Sequence, residues 1–487
     1  MHVFAYSRKR VENKLIAERK ATETIVDFAH RASFESLPAD VVELGRVLLL
    51  DSIGCALGGH GVAKGAIAIG MAEDFGQGDA VSIVGGSKAA LLAGAFANGE
   101  LMNAIDMDAC VVPGHVTPYV VPPVLAAAEK GGCSGRELVR GIVLAHEVAA
   151  RVGGAYAGLR TQVNVNGETR AELSPATGYG TTTVGGAVGA GIAFGFDLPT
   201  LLNCFGIAGY MAPVPALAKY LRLSYSPTAK YTSAGWVAMG SVLAARLAGN
   251  GYTGDREVLD GEYGFWRMCA SPTCDWDFML DGLNTVWHTR ESEFKPYPSF
   301  RMGHPGIEAF LKLLADEKIS AEAIEKIDIR CDPVAASPIY LNREIRSHSD
   351  AYISWSHVFG VAPFYPPGPA WQSREAMEDR RVKTLGSKIS VRGEWARTTS
   401  GDGAAAALVH HPVEVIVQAR GKRYEAHLMP YPKGHPKRPL AKAELEAKFL
   451  HNASWRLPQD RADKLLRALD KVLDMDDLSP LFAAMRQ

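Results

Sequence analysis

No CxxC pair occurs among the seven cysteines of this 487-residue chain, which lie scattered at Cys55, Cys110, Cys133, Cys204, Cys269, Cys274 and Cys331. That scatter argues against a disulfide framework, a zinc ribbon and a cysteine-held iron–sulfur cluster, and a reducing cytoplasm suits it best. No G-x-G-x-x-G feeds a strand–helix unit, and Walker loops, H-E-x-x-H helices and G-x-S-x-G elbows are missing too. The stretch "MHVFAYSRKRVENK" lacks the apolar run of a signal peptide. Charge of one sign is also lacking. Lys and Arg number 52 and Asp and Glu 53, a formal net charge of −1, so no nucleic-acid partner is expected.

Long hydrophobic spans are scarcer than they first look. Residues 179–196 and 199–218 carry no charged side chain. The first is rich in Gly and Thr, and the second contains Pro199, Pro213 and Pro215. Both therefore read as buried helices of a globular protein, and no membrane partner is expected.

What is present is a globular composition, 47% hydrophobic and 22% charged, at a length that suits two domains. Helical patterning dominates the first half. "LPADVVELGRVLLLDSIGCALGG" starts a helix near Pro38–Asp40, with Leu44, Val47, Leu48 and Asp51 on one stripe. An acid on an apolar stripe must be partnered, so Asp51 is expected to hold backbone N–H groups of a neighbouring loop. Glu147 and Arg151, four apart, read as a structural pair. "TTTVGGAVGAGIAFGFD" has the small residues that let helix backbones approach closely.

The pattern changes near residue 290. "AIEKIDIRCD" and "SKISVRG" alternate like half-buried strands, and "VEVIVQARGKRYEAHLM" reads as a hairpin turning at Gly421–Lys422. One helix, "PGIEAFLKLLADE", precedes them, and helical patterning resumes in "LAKAELEAKFLHNA" and "DRADKLLRALDKVL". The expected fold is mainly α. It comprises a helical domain, 1–290 plus 431–487, with a smaller α+β lid domain, 291–430, inserted in it.

Four stretches gather polar groups in small, apolar surroundings. They are "NAIDMDACVVPGH" with Asp106, Asp108, Cys110 and His115; "TGYGTTT" with Tyr179; "SPTAKYTSAGW" with Lys230; and "EFKPYPSFRMGHPG" with Lys295, Arg301 and His304. The last lies at the junction of the two expected domains, where small-molecule clefts commonly form. Cys110 alone reads as a buried small hydrophobe, and His304 also suits the cap of the helix beginning at Pro305.

In order along the chain, "LPADVVELGRVLLLDSIGCALGG", "AFANGELMNAIDMDA", "SGRELVRGIVLAHEVAARVG", "LAARLAGNGYTGDREVLDGEYGF", "KPYPSFRMGHPGIEAF" and "PKGHPKRPLAKAELEAKF" resemble the MmgE/PrpD family. The resemblance implies a large helical domain with an α+β lid, a homodimer, and cofactor-free, metal-free chemistry on small di- and tricarboxylates. Family members remove a proton beside a carboxylate and expel water, or lose CO₂, or invert a centre. A hydro-lyase is expected first, a decarboxylase or epimerase second, and an inactive carboxylate binder third.

By that resemblance Asp106, His115, Tyr179, Lys230 and His357 would carry catalysis, and Asp108, Lys295, Arg301 and His304 would bind substrate. Cations would hold the carboxylates, and a histidine or aspartate would move the proton. The chain departs from the family pattern in places. Ala109 and Cys110 replace an acid and a threonine, and Gly180, Ser233 and Phe300 stand where histidines occur. His357, in "AYISWSHVFGVA", takes the place of a lid tyrosine.

Overall fold

A computed structural model describes residues 20–156, 160–165, 168–173, 179–394, 413–426 and 431–487. Its architecture is mainly α, as the sequence patterning predicts. The central element is the helix Thr181–Ala193, every residue of which is buried. Around it pack Thr117–Gly131, Gly135–Ala155, Leu198–Met211 and Ala234–Gly249. Small residues make that crowding possible: a Cβ at Gly185 would lie 2.5 Å from the Ala145 carbonyl oxygen, and one at Gly189 2.6 Å from the Val124 side chain.

The helix anticipated at Pro38–Asp40 runs Ala39–Gly59, and Asp51 on it is buried. The Glu147–Arg151 pair, 2.7 Å apart and without solvent exposure, is structural. Glu147 also accepts from the Thr289 N–H and hydroxyl, and Arg151 donates to the Met279 and Val286 carbonyls.

The strands fall where alternation places them. Ile324–Cys331 pairs parallel with Ile389–Gly393 and antiparallel with Glu414–Ala419, which turns back as Lys422–Ala426. The turn is Arg420–Gly421, with φ of 56° and 69°, one residue earlier than anticipated. The helix His304–Asp316 packs on this sheet, and the later helix Lys442–Ala453 returns to lie against Ala39–Gly59. A second hairpin, Arg160–Val165 with Glu168–Leu173, was not anticipated. No helix among the described residues is long and apolar enough to cross a membrane.

Candidate active site

The segment after helix Leu91–Asn103 is held from three directions. On one edge, Cys110 and Glu293 exchange two backbone hydrogen bonds of 2.9 and 2.7 Å, an isolated bridge that ties the segment to the stretch leading into Lys295. On another, the Gln372 amide donates to the carbonyls of Ile105 at 2.7 Å and Pro298 at 3.0 Å. From behind, Lys448 Nζ donates to Asp51 Oδ1 at 2.6 Å and to the Met107 carbonyl at 2.8 Å. Asp51 also takes the Ala109 backbone N–H. Its expected role as a loop holder is thus met, with a buried lysine added.

So held, the segment points both aspartates into one buried charge cluster. Lys230 Nζ lies 2.6 Å from Asp106 Oδ1, and Lys295 Nζ 3.2 Å from Oδ2. His115 Nε2 lies 3.6 Å from Asp106 Oδ1. On the other side of the imidazole, Nδ1–H donates to Asp108 Oδ2 at 2.6 Å, with Cys110 Sγ 3.8 Å from Nδ1. The Asn103 amide donates to Asp108 Oδ1 at 3.4 Å, and Lys64 Nζ donates to the Asn103 oxygen at 3.2 Å. Lys64 in turn pairs with Glu100 at 2.8 Å.

Ionisation follows from this geometry. Burial opposes the charge of Asp106, but Lys230, Lys295 and His115 overcome it and hold the carboxyl well below its usual range. Asp108 is lowered against burial chiefly by His115. Burial likewise opposes the charge of His115, yet the neighbouring Cys110 and Asp108 raise it to about 9. At neutral pH the imidazole is therefore a loaded proton donor. Its side chain, 12% exposed, has more solvent access than Asp106, Asp108, Lys230 or Lys295.

Tyrosines wall the cluster. Tyr179 stacks on Tyr231 at 4.7 Å and on Tyr119 at 5.3 Å, and meets the His115 ring edge-on at 6.3 Å. Its hydroxyl reaches the His115 main chain, and burial raises its pKa above the usual tyrosine value. Gly114, at φ 153°, gives that hydroxyl its room, because a Cβ there would sit 2.2 Å from the oxygen. Lys230 lies 4.6 Å over the Tyr352 ring.

Asp106, Asp108, His115, Tyr179, Lys230 and Lys295 are thus brought together, and three other anticipated residues stand differently. Arg301, about nine-tenths buried, pairs with Glu293, which also lies 3.5 Å from His435, so its charge already has a carboxylate. Burial lowers it to about 10, still a cation at neutral pH. His304 begins its helix, and its Nε2–H donates to the Ser299 carbonyl at 3.1 Å. Burial, with Lys295 and Arg301 nearby, keeps it neutral. His357 donates to the Trp371 carbonyl at 2.6 Å, and burial lowers it to about 4. Among the described residues its partners are not members of the cluster.

The histidine that does approach is His348, six residues after Asn342 and one ring from Tyr352 at 6.2 Å. Burial and the charges of Lys64 and Lys230 push it down to about 3. The sequence reading does not single out Tyr231, Tyr352, Asn103 or Glu293, although Tyr231, Asn103 and Glu293 lie inside the four stretches. Ser233 caps helix Ala234–Gly249 by accepting the Trp236 N–H at 3.1 Å, and its hydroxyl donates to Glu100. Phe300 packs between Tyr340 and Trp355, at 4.9 and 4.8 Å.

The MmgE/PrpD N-terminal domain matches residues 23–276 and the MmgE/PrpD C-terminal domain residues 297–474, so the chain belongs to the MmgE/PrpD family. Among its relatives, the cis-aconitate decarboxylase of Aspergillus terreus (strain NIH 2624 / FGSC A1156) is 27% identical over 311 residues, 61% of this chain and 61% of that protein. The match thus spans about three fifths of the fungal protein's length. The cis-aconitate decarboxylase of Homo sapiens is 22% identical, over 96% of this chain and 95% of its own. That of Mus musculus is also 22% identical, over 95% and 93%.

Proposed function

We propose that the chain is a cofactor-independent lyase of small di- or tricarboxylates, and that the bond it breaks is the one to a carboxylate carbon. The observation that carries this reading is Asp106 between two ammonium groups with a protonated His115 beside it. Lys295 Nζ, ion-paired to Asp106, makes no hydrogen bond among the described residues, so its N–H groups are free for a substrate carboxylate. As CO₂ leaves, the bonding pair stays on the substrate carbon and is delocalised toward a remaining carboxylate held by lysine. His115 Nε2–H, outside hydrogen-bond range of Asp106, then protonates that carbon. Solvent reloads the imidazole.

Water elimination, the first expectation from sequence, needs a base as well as an acid. Asp106 and Asp108 are locked in ion pairs that make them weak bases. The geometry therefore favours the reaction that needs only a proton donor, and the names of the relatives point the same way. The experiment is incubation with a panel of unsaturated and hydroxy di- and tricarboxylates in D₂O, followed by NMR. Loss of CO₂ with one deuterium on the adjacent carbon is expected. Loss of water without CO₂ would replace this reading with dehydration. Carboxylates that raise the melting temperature without any turnover or exchange would mark a binding protein.

A homodimer is part of the same proposal. Tyr210, Val214, Tyr225 and Trp236 are large side chains left 66%, 79%, 49% and 51% exposed, surface that suits a partner copy. Sedimentation equilibrium at micromolar concentration tests it, and a monomer would refute it.

A further inference from the structure

Asp108, Cys110 and His115 offer a carboxylate oxygen, a thiol sulfur and an imidazole nitrogen that all lie within 4.8 Å of one another. We propose that these three side chains form a binding site for a borderline-soft divalent cation of the Zn²⁺ class, which closes the cluster by replacing its mobile protons.

The donor set is the first argument. Mixed nitrogen, oxygen and sulfur ligands select Zn²⁺ and its neighbours over Mg²⁺ or Ca²⁺. The spacing is the second. Ligand atoms on a tetrahedral zinc lie roughly 3.3–3.8 Å apart, given bonds of about 2.0–2.3 Å. Cys110 Sγ is already 3.8 Å from His115 Nδ1. The Nδ1–Asp108 pair, at 2.6 Å around a proton, need open only by about 1 Å around a larger ion.

The surroundings supply the third argument. A ligating imidazole is normally oriented by a carboxylate on its other nitrogen. Here Asp106 Oδ1 lies 3.6 Å from Nε2, just beyond hydrogen-bond range, and orients the ring by charge. The ligating carboxylate is steadied in turn by the Asn103 amide, at 3.4 Å from Asp108 Oδ1. The Cys110 main chain is fixed by its bridge to Glu293.

Charge balance is the fourth. The cations facing the trio are Lys230 and Lys295, both held on Asp106, and Arg301, which faces Cys110 and is paired with Glu293; Asp108 is left to the imidazole. Occupancy replaces the Nδ1 proton and leaves Nε2–H, 3.6 Å from Asp106 Oδ1, in place. The binding does not depend on the lyase reading.

The test uses Co²⁺ as a spectroscopic probe on the full chain, with Zn²⁺ as competitor. Expected is one equivalent of Co²⁺ with a thiolate-to-cobalt charge-transfer band in the near ultraviolet, abolished by Zn²⁺. Cys110→Ser removes the band and weakens Zn²⁺ by at least about tenfold, whereas Cys133→Ser, remote from the trio, keeps both. Asp108→Asn weakens Zn²⁺ by a similar factor and retains a thiolate band. Thermal melts confirm folding, and Cys110→Thr substitutes should Cys110→Ser fail to fold. A wild-type protein without the band, or a band that survives loss of Cys110, overturns the proposal. Both outcomes are read without any assay of turnover, so the lyase reading stands or falls separately.

Discussion

Asp106 and Lys230 lie 124 residues apart, both take a left-handed backbone with φ of 54°, and their side chains meet at 2.6 Å. Left-handed geometry is uncommon outside glycine and costs on the order of 1 kcal/mol or more at each residue. Two such residues facing each other across one buried ion pair mark where the fold tolerates strain to aim charges.

Asp106→Asn strands Lys230 and Lys295 in a buried setting with no anion between them. Breaking a buried pair by removing one partner costs about 3–5 kcal/mol. The expected result in urea denaturation is a loss of that size, together with loss of turnover. A variant as stable as the wild type would show that the cluster is hydrated rather than closed.

His115 gives the site its pH dependence. Its pKa rises from 6.5 to about 9 in the folded state. A raised pKa stabilises the fold fully below about 6.5 and progressively less as pH climbs through about 9. The shift corresponds to about 3 kcal/mol at most. Turnover that needs the imidazolium should fall along the same alkaline limb. Asp108→Asn removes the anion that Nδ1–H contacts, so the limb should move to lower pH by at least about one unit. A limb that stays in place would assign the proton to another group.

Much of the scaffold was legible because periodicity reports local geometry. The Gln459–Asp470 helix and the Glu414–Ala426 hairpin follow from patterns within a dozen or so residues. The hairpin Arg160–Leu173 was equally local. Its Asn166-Gly167 pair, a strong turn signal, lies outside the described residues. The cluster itself was only half legible. Polar groups amid alanine and glycine mark Asp106, His115 and Lys230. Nothing local distinguishes His348, one ring from Lys230's tyrosine, from His357, which serves the Trp371 carbonyl. Both sit on adjacent short helices, His348–Ile353 and Trp355–Val361, and only packing decides which approaches the lysines. Arg301 was legible as a cation, whereas its partner Glu293 was visible only once the chain had folded.

Gly114 and Tyr179 should prove coupled. Gly114→Ala places a Cβ 2.2 Å from the Tyr179 hydroxyl oxygen, at a φ of 153° that side chains disfavour. We expect a loss of about 2 kcal/mol or more, since both strain and overpacking operate. Tyr179→Phe removes the offending oxygen and should recover part of that loss, the clash but not the backbone strain. A double-mutant cycle measures the recovered part, expected at about 0.5–3 kcal/mol for residues in contact. Strict additivity would show that the tyrosine moves aside freely.

The pair Asp51–Lys448 tests whether the loop must be held from behind. Lys448→Met leaves the buried Asp51 without its cation and the Met107 carbonyl without its donor. The expected destabilisation is about 3–5 kcal/mol, because an uncompensated charge stays buried. Asp51→Asn combined with Lys448→Met removes both charges, and exchanging a buried pair for neutral groups is often near neutral in stability. The double variant should therefore refold to within about 1–2 kcal/mol of the wild type. Its turnover then separates two roles. If the ion pair only stabilises the fold, activity returns with stability. If it also fixes Met107 and Ala109 so that Asp106 and Asp108 stay aimed at His115, the stable double variant remains slow. Its alkaline limb would then shift downward, as for Asp108→Asn, because the imidazole has lost a well-placed carboxylate.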